Sequence, residues 1–339
     1  MESHTFRAAV DFVLDHTSEP FVMWLFHGGE PLLMGWRWLR EASRYARQAA
    51  AKRGKELGLG LVTNGTLIHE NEVQMVLDEK IAVSISIDGP PVINDIYRSG
   101  GCDVMTAIDR MRRRGVTFRL LGLINSSNYN RFKEIVDFCM REGLIHTKFN
   151  LCYSVGRGRH LPELKPGDAF EARMVLLDCM LQHPELFTEV NLIHQVFKYF
   201  SAHLRHNGGC TTIHCAAGSA FLGIRYDGGI FPCGRGDDLG DYWRLGSVLE
   251  SFHQDSALDI LNEYCQRGQR YECYTCKAAK VCDYHCPAYM ISSFKNRSLD
   301  CGVSHLLLNY LDGKTESEKQ SMLGVLKRAH ASLPHNFKS

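Results

Sequence analysis

Phe21-Val22-Met23-Trp24-Leu25-Phe26-His27-Gly28-Gly29-Glu30-Pro31 is the stretch from which the fold is read. Six consecutive apolar residues have the pattern of a buried strand, and the glycine pair beyond them makes a turn whose backbone a ligand can approach closely. The same design returns twice. Leu59-Gly60-Leu61-Val62 runs into Thr63-Asn64-Gly65, and Ala82-Val83-Ser84-Ile85-Ser86-Ile87 runs into Asp88-Gly89-Pro90. Residues 116–124 and 147–153 have the pattern of two further strands, with helical patterns near 4–15, 35–53, 69–79, 102–114 and 130–142. Repeated strand–helix units predict an α/β fold, a parallel sheet with helices outside. Ligand-binding loops of such folds gather at the C-terminal ends of the strands. Taken singly, the three strand-end motifs read as ordinary turns. Together they form one rim able to share one ligand, and Glu30 could there accept a hydrogen bond from an ammonium group.

A long helical stretch over about 167–206 leads to Asn207-Gly208-Gly209, where the composition shifts to Cys, Gly and Asp. The boundary therefore falls near residue 206. The expected organisation is a barrel-like part at 1–206, a small Cys-rich domain at 207–312 and a helical tail at 313–339, with two helical segments beyond Cys301.

Composition narrows the function classes. The 339 residues carry 39 basic and 38 acidic side chains for a formal net charge of +1, and 45% are apolar. The chain is globular, and its charge balance argues against a general nucleic-acid surface or a membrane-attracted patch. The basic run Arg110-Met111-Arg112-Arg113-Arg114 reads as a solvated helix face. No stretch reaches the ~18 apolar residues of a membrane span, and no signal-peptide profile opens the chain. The expectation is a cytoplasmic protein.

A reducing compartment decides how the thirteen cysteines are read, since disulfides are rare there. Cys102, Cys139, Cys152 and Cys179 sit in apolar settings and read as buried small hydrophobes. Seven of the others concentrate towards the last third, at Cys215, Cys233, Cys273, Cys276, Cys282, Cys286 and Cys301, four of them within Cys273-Tyr274-Thr275-Cys276-Lys277-Ala278-Ala279-Lys280-Val281-Cys282-Asp283-Tyr284-His285-Cys286. Thiolates so closely spaced can converge on a metal centre. A zinc ribbon suits Cys273 to Cys286 as well as an iron–sulfur cluster does, but it leaves Cys215, Cys233 and Cys301 unexplained.

On these residues the chain resembles the radical S-adenosylmethionine enzymes with a SPASM auxiliary-cluster domain, among them anaerobic sulfatase-maturating enzymes and maturases of ribosomally made peptides. His27-Gly28-Gly29-Glu30-Pro31 is similar to the Gly-Gly-Glu-Pro motif that binds the cofactor's methionine amino group. Thr63-Asn64-Gly65 and Ser84 to Pro90 match the third and fourth strand ends. The resemblance implies a partial, open (β/α)6 barrel lacking its first strand. It assigns Gly28, Gly29, Glu30, Pro31, Asn64, Ser86 and Arg98 to the S-adenosylmethionine site. Cys215, Gly228 with four residues to Cys233, C-x2-C-x5-C-x3-C from Cys273 to Cys286, and Cys301 reproduce the SPASM signature. Cys210 resembles its eighth ligand. By this resemblance Cys210, Cys215, Cys233 and Cys286 hold a first auxiliary 4Fe-4S cluster, and Cys273, Cys276, Cys282 and Cys301 hold a second.

Two departures qualify the implied chemistry. The family holds its cofactor-cleaving cluster with C-x3-C-x2-C after the first strand, and no such motif occurs here. Residues 1–10 read like the helix that follows that loop, so a truncated or misassigned start, a degenerate member and a separately supplied segment are all open. A third 4Fe-4S cluster is expected only if that segment is supplied. In the sulfatase-maturating branch an aspartate base follows the cysteine of the G-x4-C element, whereas here Cys233 is followed by Gly234-Arg235. That favours a carbon–carbon or thioether crosslink over formylglycine formation. Asp237, Asp238 and Asp241 read as a solvated acidic loop, and no catalytic acid or base is named.

The expected function is thus an oxidoreductase that modifies a peptide or protein side chain by hydrogen abstraction. Its expected partners are the substrate, an electron donor such as flavodoxin or ferredoxin, and a separate leader-recognition protein. The alternatives are a noncatalytic iron–sulfur peptide-binding module and a zinc-binding protein. His203, His206, His214 and His285 are read as neighbours of cluster sulfurs or as surface residues. Tyr271, Tyr274 and Tyr284 are expected to shield the second cluster, and Trp24, Trp36, Trp38 and Trp243 to pack.

Overall fold

The computed structural model describes residues 1–200, 216–235, 240–250, 252–268, 273, 275–282, 286–292 and 294–333. Its elements begin with α1 (Ser3–Asp15), β1 (Phe21–Phe26), α2 (Trp36–Lys52), β2 (Glu56–Thr63), α3 (Glu70–Asp78), β3 (Ala82–Ser86), the single turn α4 (Pro91–Asn94) and α5 (Gly101–Arg113). They continue with β4 (Phe118–Ile124), α6 (Phe132–Arg141), β5 (His146–Leu151), α7 (Pro166–Gln182), β6 (Thr188–Glu189) and α8 (Val190–Phe200). After these come β7 (Gly223–Ile224), β8 (Gly229–Phe231), β9 (Gly246–Ser247), α9 (Gln254–Gly268), α10 (Pro287–Ser292), α11 (Phe294–Asp312) and α12 (Glu316–Ser332). The six strands β1 to β6 follow one another in chain order in a parallel sheet, and β7–β8–β9 form an antiparallel one. The expected α/β class is present. The chain divides into two compact units.

The first unit comprises Met1–Ile87, Asn94–Phe118 and Leu222–Leu261. Strands β1 and β2 pair from Phe21↔Glu56 to Phe26↔Leu61. One face of β1 meets helices: the Phe6 ring of α1 lies 5.3 Å from both Trp24 and Trp38. The opposite face explains the Leu-Gly-Leu-Gly-Leu alternation of β2. A Cβ on Gly58 would stand 2.9 Å from the Phe21 ring, and one on Gly60 would stand 2.7 Å from Leu25. Leu59 and Leu61 point the other way into the core. The glycines thus make room for the large side chains of the neighbouring strand. The small sheet packs Ile230 and Leu245 with Ala257 of α9, and Phe252 meets Phe12 of α1 edge-on at 5.1 Å.

The second unit comprises Asp88–Ile93, Arg119–Phe221 and Asn262–Ser339. Strands β4 and β5 pair from Leu120↔Thr147 to Ile124↔Leu151. Here the single helix expected over 167–206 is broken. Helix α7 stops at Gln182, ahead of Pro184, whose ring disfavours helical backbone at the preceding residue. The chain then adds the short sixth strand before α8 begins. Glu189 makes that junction. Its buried carboxylate accepts from the backbone N–H of Phe149 at 2.8 Å and of Leu192 at 2.7 Å. Burial pushes its pKa up, while those bonds and the charge of Arg173 pull it down.

Two further expectations are corrected. Cys301 lies inside α11 and not ahead of the closing helices. Of the scattered cysteines, Cys139 and Cys179 are buried as expected, the latter with its thiol pushed up to about 11 by burial, whereas Cys152 is half-buried and Cys102 is exposed in the first turn of α5. Trp243 is buried. No helix among the described residues is long and apolar enough to cross a membrane.

Helix α11 packs on α7 through a contact only glycine allows, since a Cβ on Gly302 would fall 2.5 Å from Pro166 Cβ. Gly324 of α12 has nothing within 4 Å of the same position. Replacing a helical glycine by alanine ordinarily stabilises by about 1 kcal/mol. Gly324→Ala should therefore raise the denaturation midpoint. Gly302→Ala should lower stability by about 1–3 kcal/mol through overpacking, and urea unfolding of the two variants checks the opposite signs.

Candidate cofactor and iron–sulfur site

The rim of the first unit is organised by one carboxylate. Glu30 Oε1 accepts from the Thr63 hydroxyl at 2.8 Å and from the Leu32 N–H at 3.0 Å, and Oε2 accepts from the Asn64 N–H at 2.8 Å. Glu30 follows β1, and Thr63 and Asn64 end β2, so these bonds clasp two adjacent strand ends. Thr63 passes the connection on by accepting from the Gly65 N–H at 3.0 Å. A carboxylate has about four lone-pair sites, so three protein donors leave Glu30 about one site for a ligand. The Asn64 carbonyl oxygen accepts from the Thr66 N–H at 2.9 Å and the Thr66 hydroxyl at 2.8 Å, turning this side chain onto its own loop.

Gly28 and Gly29 have φ of 87° and 54°, a region that favours glycine, and a Cβ on either would meet nothing within 4 Å. Their backbone therefore stands open. Pro31 is buried and opens a single 3₁₀ turn capped by Glu30. Ser86 follows Ile85, the register partner of Thr63, so Ser86 and Asn64 occupy neighbouring strand ends. Arg98 is half-buried between α4 and α5, and its N–H donates to the Asn94 carbonyl at 2.9 Å.

The Cys233 turn follows β8 in the same unit. Arg235 N–H donates to Cys233 Sγ at 3.4 Å. Desolvation and then the charge of Arg235 hold the His27 imidazole, just past β1, below its ordinary value. Gly223 makes the turn possible, because a Cβ there would lie 2.3 Å from the Cys233 carbonyl oxygen. The sequence reading did not single out Gly223. Asp241 is held by Arg225 at 3.0 Å, and Arg225 also grips Asp227 at 2.7 Å, drawing that carboxyl down to about 2.

In the second unit, Cys273 and Cys276 flank a tight turn with Cys276 N–H donating to the Cys273 carbonyl at 3.4 Å, and the 3₁₀ turn Lys277–Lys280 leads to buried Cys282. The Lys198 ammonium donates to the Cys282 carbonyl. Helix α11, which carries Cys301, packs on that 3₁₀ turn. Two contacts from α11 were not anticipated: Arg297 Nη2 stands 3.6 Å from Cys273 Sγ, and His305 Nε2 stands 3.6 Å from Cys276 Sγ. Spacing of four residues on either side of Cys301 is the signal that could have found them. No disulfide joins the described cysteines, and among the described residues no three His, Cys, Asp or Glu side chains converge as a ready-made ion site. Soft thiolate donors suit an iron–sulfur cluster or zinc. Cys286 is half-buried just ahead of α10. Cys210, Cys215, His203, His206, His214, His285, Tyr271, Tyr274, Tyr284, Asp237 and Asp238 lie outside the described residues.

At the ends of β4 and β5 the second unit holds a cavity of about 100 Å³ lined by Ser126, Cys152, Ser154, Arg159, Glu163 and Leu299, among others. The Ser126 hydroxyl is buried without a protein partner. Asp88, expected only as a turn residue, accepts from the Leu123 N–H of β4 at 2.9 Å. Asp300 of α11 accepts from the Tyr153 hydroxyl at 2.5 Å.

No family model matches the chain. Among curated proteins, it is 25% identical over 281 residues to a cysteine-type anaerobic sulfatase-maturating enzyme of Clostridium perfringens, spanning 77% of this chain and 72% of that one. A serine-type anaerobic sulfatase-maturating enzyme of Klebsiella aerogenes is 25% identical over 291 residues, spanning 81% and 69%. Among solved structures, anSMEcpe with bound AdoMet superposes with a TM-score of 0.75 at 18% identity, over 96% of this chain and 90% of that one. The same protein with AdoMet and the Kp18Cys peptide gives 0.72 at 20% identity over 91% of each. Streptococcus suis SuiB bound to S-adenosylmethionine gives 0.59 at 16% identity, over 87% and 68%. The chain is a relative of the anaerobic sulfatase-maturating enzymes and shares the fold of these radical S-adenosylmethionine peptide maturases.

Proposed function

We propose that the chain belongs to a radical S-adenosylmethionine oxidoreductase that modifies a side chain of a peptide or protein, and that it carries two auxiliary 4Fe-4S clusters. The observation that carries this reading is the Glu30 clasp, which brings the open Gly28-Gly29 backbone and the Asn64 loop to one rim. The solved neighbours bound to AdoMet and to peptide support it. In this reading Gly28, Gly29, Glu30, Pro31, Asn64, Ser86 and Arg98 hold the cofactor. Residues 1–206 form the barrel part, 207–312 the auxiliary domain and 313–339 a helical tail. The cluster ligands are Cys210, Cys215, Cys233 and Cys286 for the first site, and Cys273, Cys276, Cys282 and Cys301 for the second. Thiolates are the right donors for such clusters, and the Arg235 N–H, the Arg297 guanidinium and the His305 imidazole lie against three of these sulfurs.

When bound, S-adenosylmethionine and a reduced cluster supply the one-electron chemistry that removes a hydrogen atom from the substrate. The chain's own residues bind and orient. The Glu30 clasp sets the distance between two cofactor loops, and the cavity at the ends of β4 and β5 offers Ser126, Arg159 and Glu163 to part of the peptide. A third cluster needs ligands beyond this sequence, which has no C-x3-C-x2-C. The position after Cys233 offers Gly234 in place of an acid, and Asp241 is spent on Arg225. A crosslink is therefore the first reading of the modification. Formylglycine formation is the second, favoured by the sulfatase-maturating relatives. The reading includes an electron donor of the flavodoxin or ferredoxin kind, a leader-recognition partner and a cytoplasmic location.

Anaerobic loading with iron and sulfide should give about eight irons per chain, four for each cluster, and Cys282→Ala should retain about half. Bound zinc with no iron would defeat the reading. Glu30→Ala frees three donors and lets the two loops separate. It should weaken S-adenosylmethionine binding about tenfold, or about 1.4 kcal/mol, in equilibrium dialysis of the loaded chain. Unchanged affinity would remove the clasp from the cofactor site.

A further inference from the structure

We propose that α11 presents a hydrogen-bonding, cationic face to the second auxiliary cluster and raises its reduction potential through Arg297 and His305; the proposal rests on the assignment of Cys273, Cys276, Cys282 and Cys301 to that cluster. Arg297, Cys301 and His305 are spaced four residues apart, which stacks them on one side of a helix. The two residues flanking Cys301 reach different sulfurs. Arg297 Nη2 lies 3.6 Å from Cys273 Sγ, and His305 Nε2 lies 3.6 Å from Cys276 Sγ. Guanidinium has donors and no acceptor, so towards a thiolate it can only donate. With its hydrogen on Nε2, the tautomer on which the proposal rests, His305 donates to the thiolate.

The face is held in place from outside the cluster. Gly302 seats α11 against Pro166, and Asp300 is bonded to the Tyr153 hydroxyl at 2.5 Å. A side chain that only filled space beside Cys273 would need no such charge. A cluster held by four thiolates is anionic, and each added electron makes it more so. Hydrogen bonds to the sulfurs and nearby positive charge stabilise the reduced form and raise the potential. In this chain two of the four thiolates receive that assistance from one helix, which also supplies a third ligand. Ligation and tuning are thereby mechanically coupled.

The test uses the full chain loaded anaerobically with iron and sulfide, followed by redox titration monitored by electron paramagnetic resonance. Wild type, Arg297→Met, Arg297→Lys and His305→Phe are compared for iron and sulfide content, thermal midpoint and the potential of each centre. Arg297→Met should keep its iron. The reduced-to-oxidised ratio of one centre at fixed applied potential should fall about tenfold, equivalent to about 59 mV for a one-electron couple. His305→Phe should shift the same centre in the same direction, and Arg297→Lys should restore most of the ratio. Full loading with unchanged potentials in Arg297→Met and His305→Phe overturns the proposal and leaves the cluster assignment standing. A wild-type chain that takes up zinc and no iron overturns the assignment and the proposal with it. If Arg297→Met does not load, Arg297→Lys and His305→Phe decide: matching shifts in the stated directions support the proposal, and wild-type potentials in His305→Phe overturn it.

Discussion

A carboxylate shared between two strand ends is the constraint on which the rim depends. Parallel strands are joined by long crossovers, so nothing in the sheet ladder itself fixes the loops that leave their C-terminal ends. Glu30 supplies that missing restraint by accepting from one donor in its own loop and two at the end of the next strand. Hydrogen bonds to a charged acceptor contribute about 1.5–3 kcal/mol each, enough to hold loop backbones whose glycines would otherwise sample many conformations. The open Gly28-Gly29 backbone is useful to a ligand only because its neighbours are tied.

The second unit solves a different problem with the same economy. Its described candidate ligands come from a turn, the end of the 3₁₀ segment that directly follows it and a helix further along the chain, and Cys276, Cys282 and Cys301 are each held by protein contacts. The Cys276 turn is closed by its own backbone, Cys282 is buried beneath the Lys198 contact, and Cys301 is carried by α11, itself seated at Gly302. Preorganisation of this kind would lower the conformational entropy lost if these thiols were drawn onto the proposed cluster.

Much of this was legible in the residues. The apolar run at Phe21–Phe26 and its two repeats announced the parallel sheet, because period and turn chemistry agree there. The sixth strand was not legible. It is two residues long and lies between two strongly helical stretches, and only Pro184 marks the break. The sequence did not single out Gly58 and Gly60, whose role appears only with Phe21 and Leu25 lying over them. The motif residues named for the cofactor stand at the expected strand ends, yet the sequence could not show that Glu30 is largely engaged by protein donors. Arg297 and His305 were passed over because Cys301 was read as preceding the helix, which hid the four-residue spacing. Cys102 was misread because an apolar neighbourhood in sequence is not burial; it faces solvent on the outer side of its helix.

The alternation on β1 has a practical consequence. Phe21, Met23 and Leu25 are each about half exposed, on a strand that among the described residues pairs with β2 alone. An apolar strand with a free edge is a template for pairing with another chain. Handled by itself at high concentration, this polypeptide carries its own nucleus for self-association, on the strand that leads into the Gly28-Gly29 turn. The half-exposed apolar face and the loop proposed for the cofactor therefore share the same dozen residues, so a substitution made there for solubility should be checked for its effect on that loop as well.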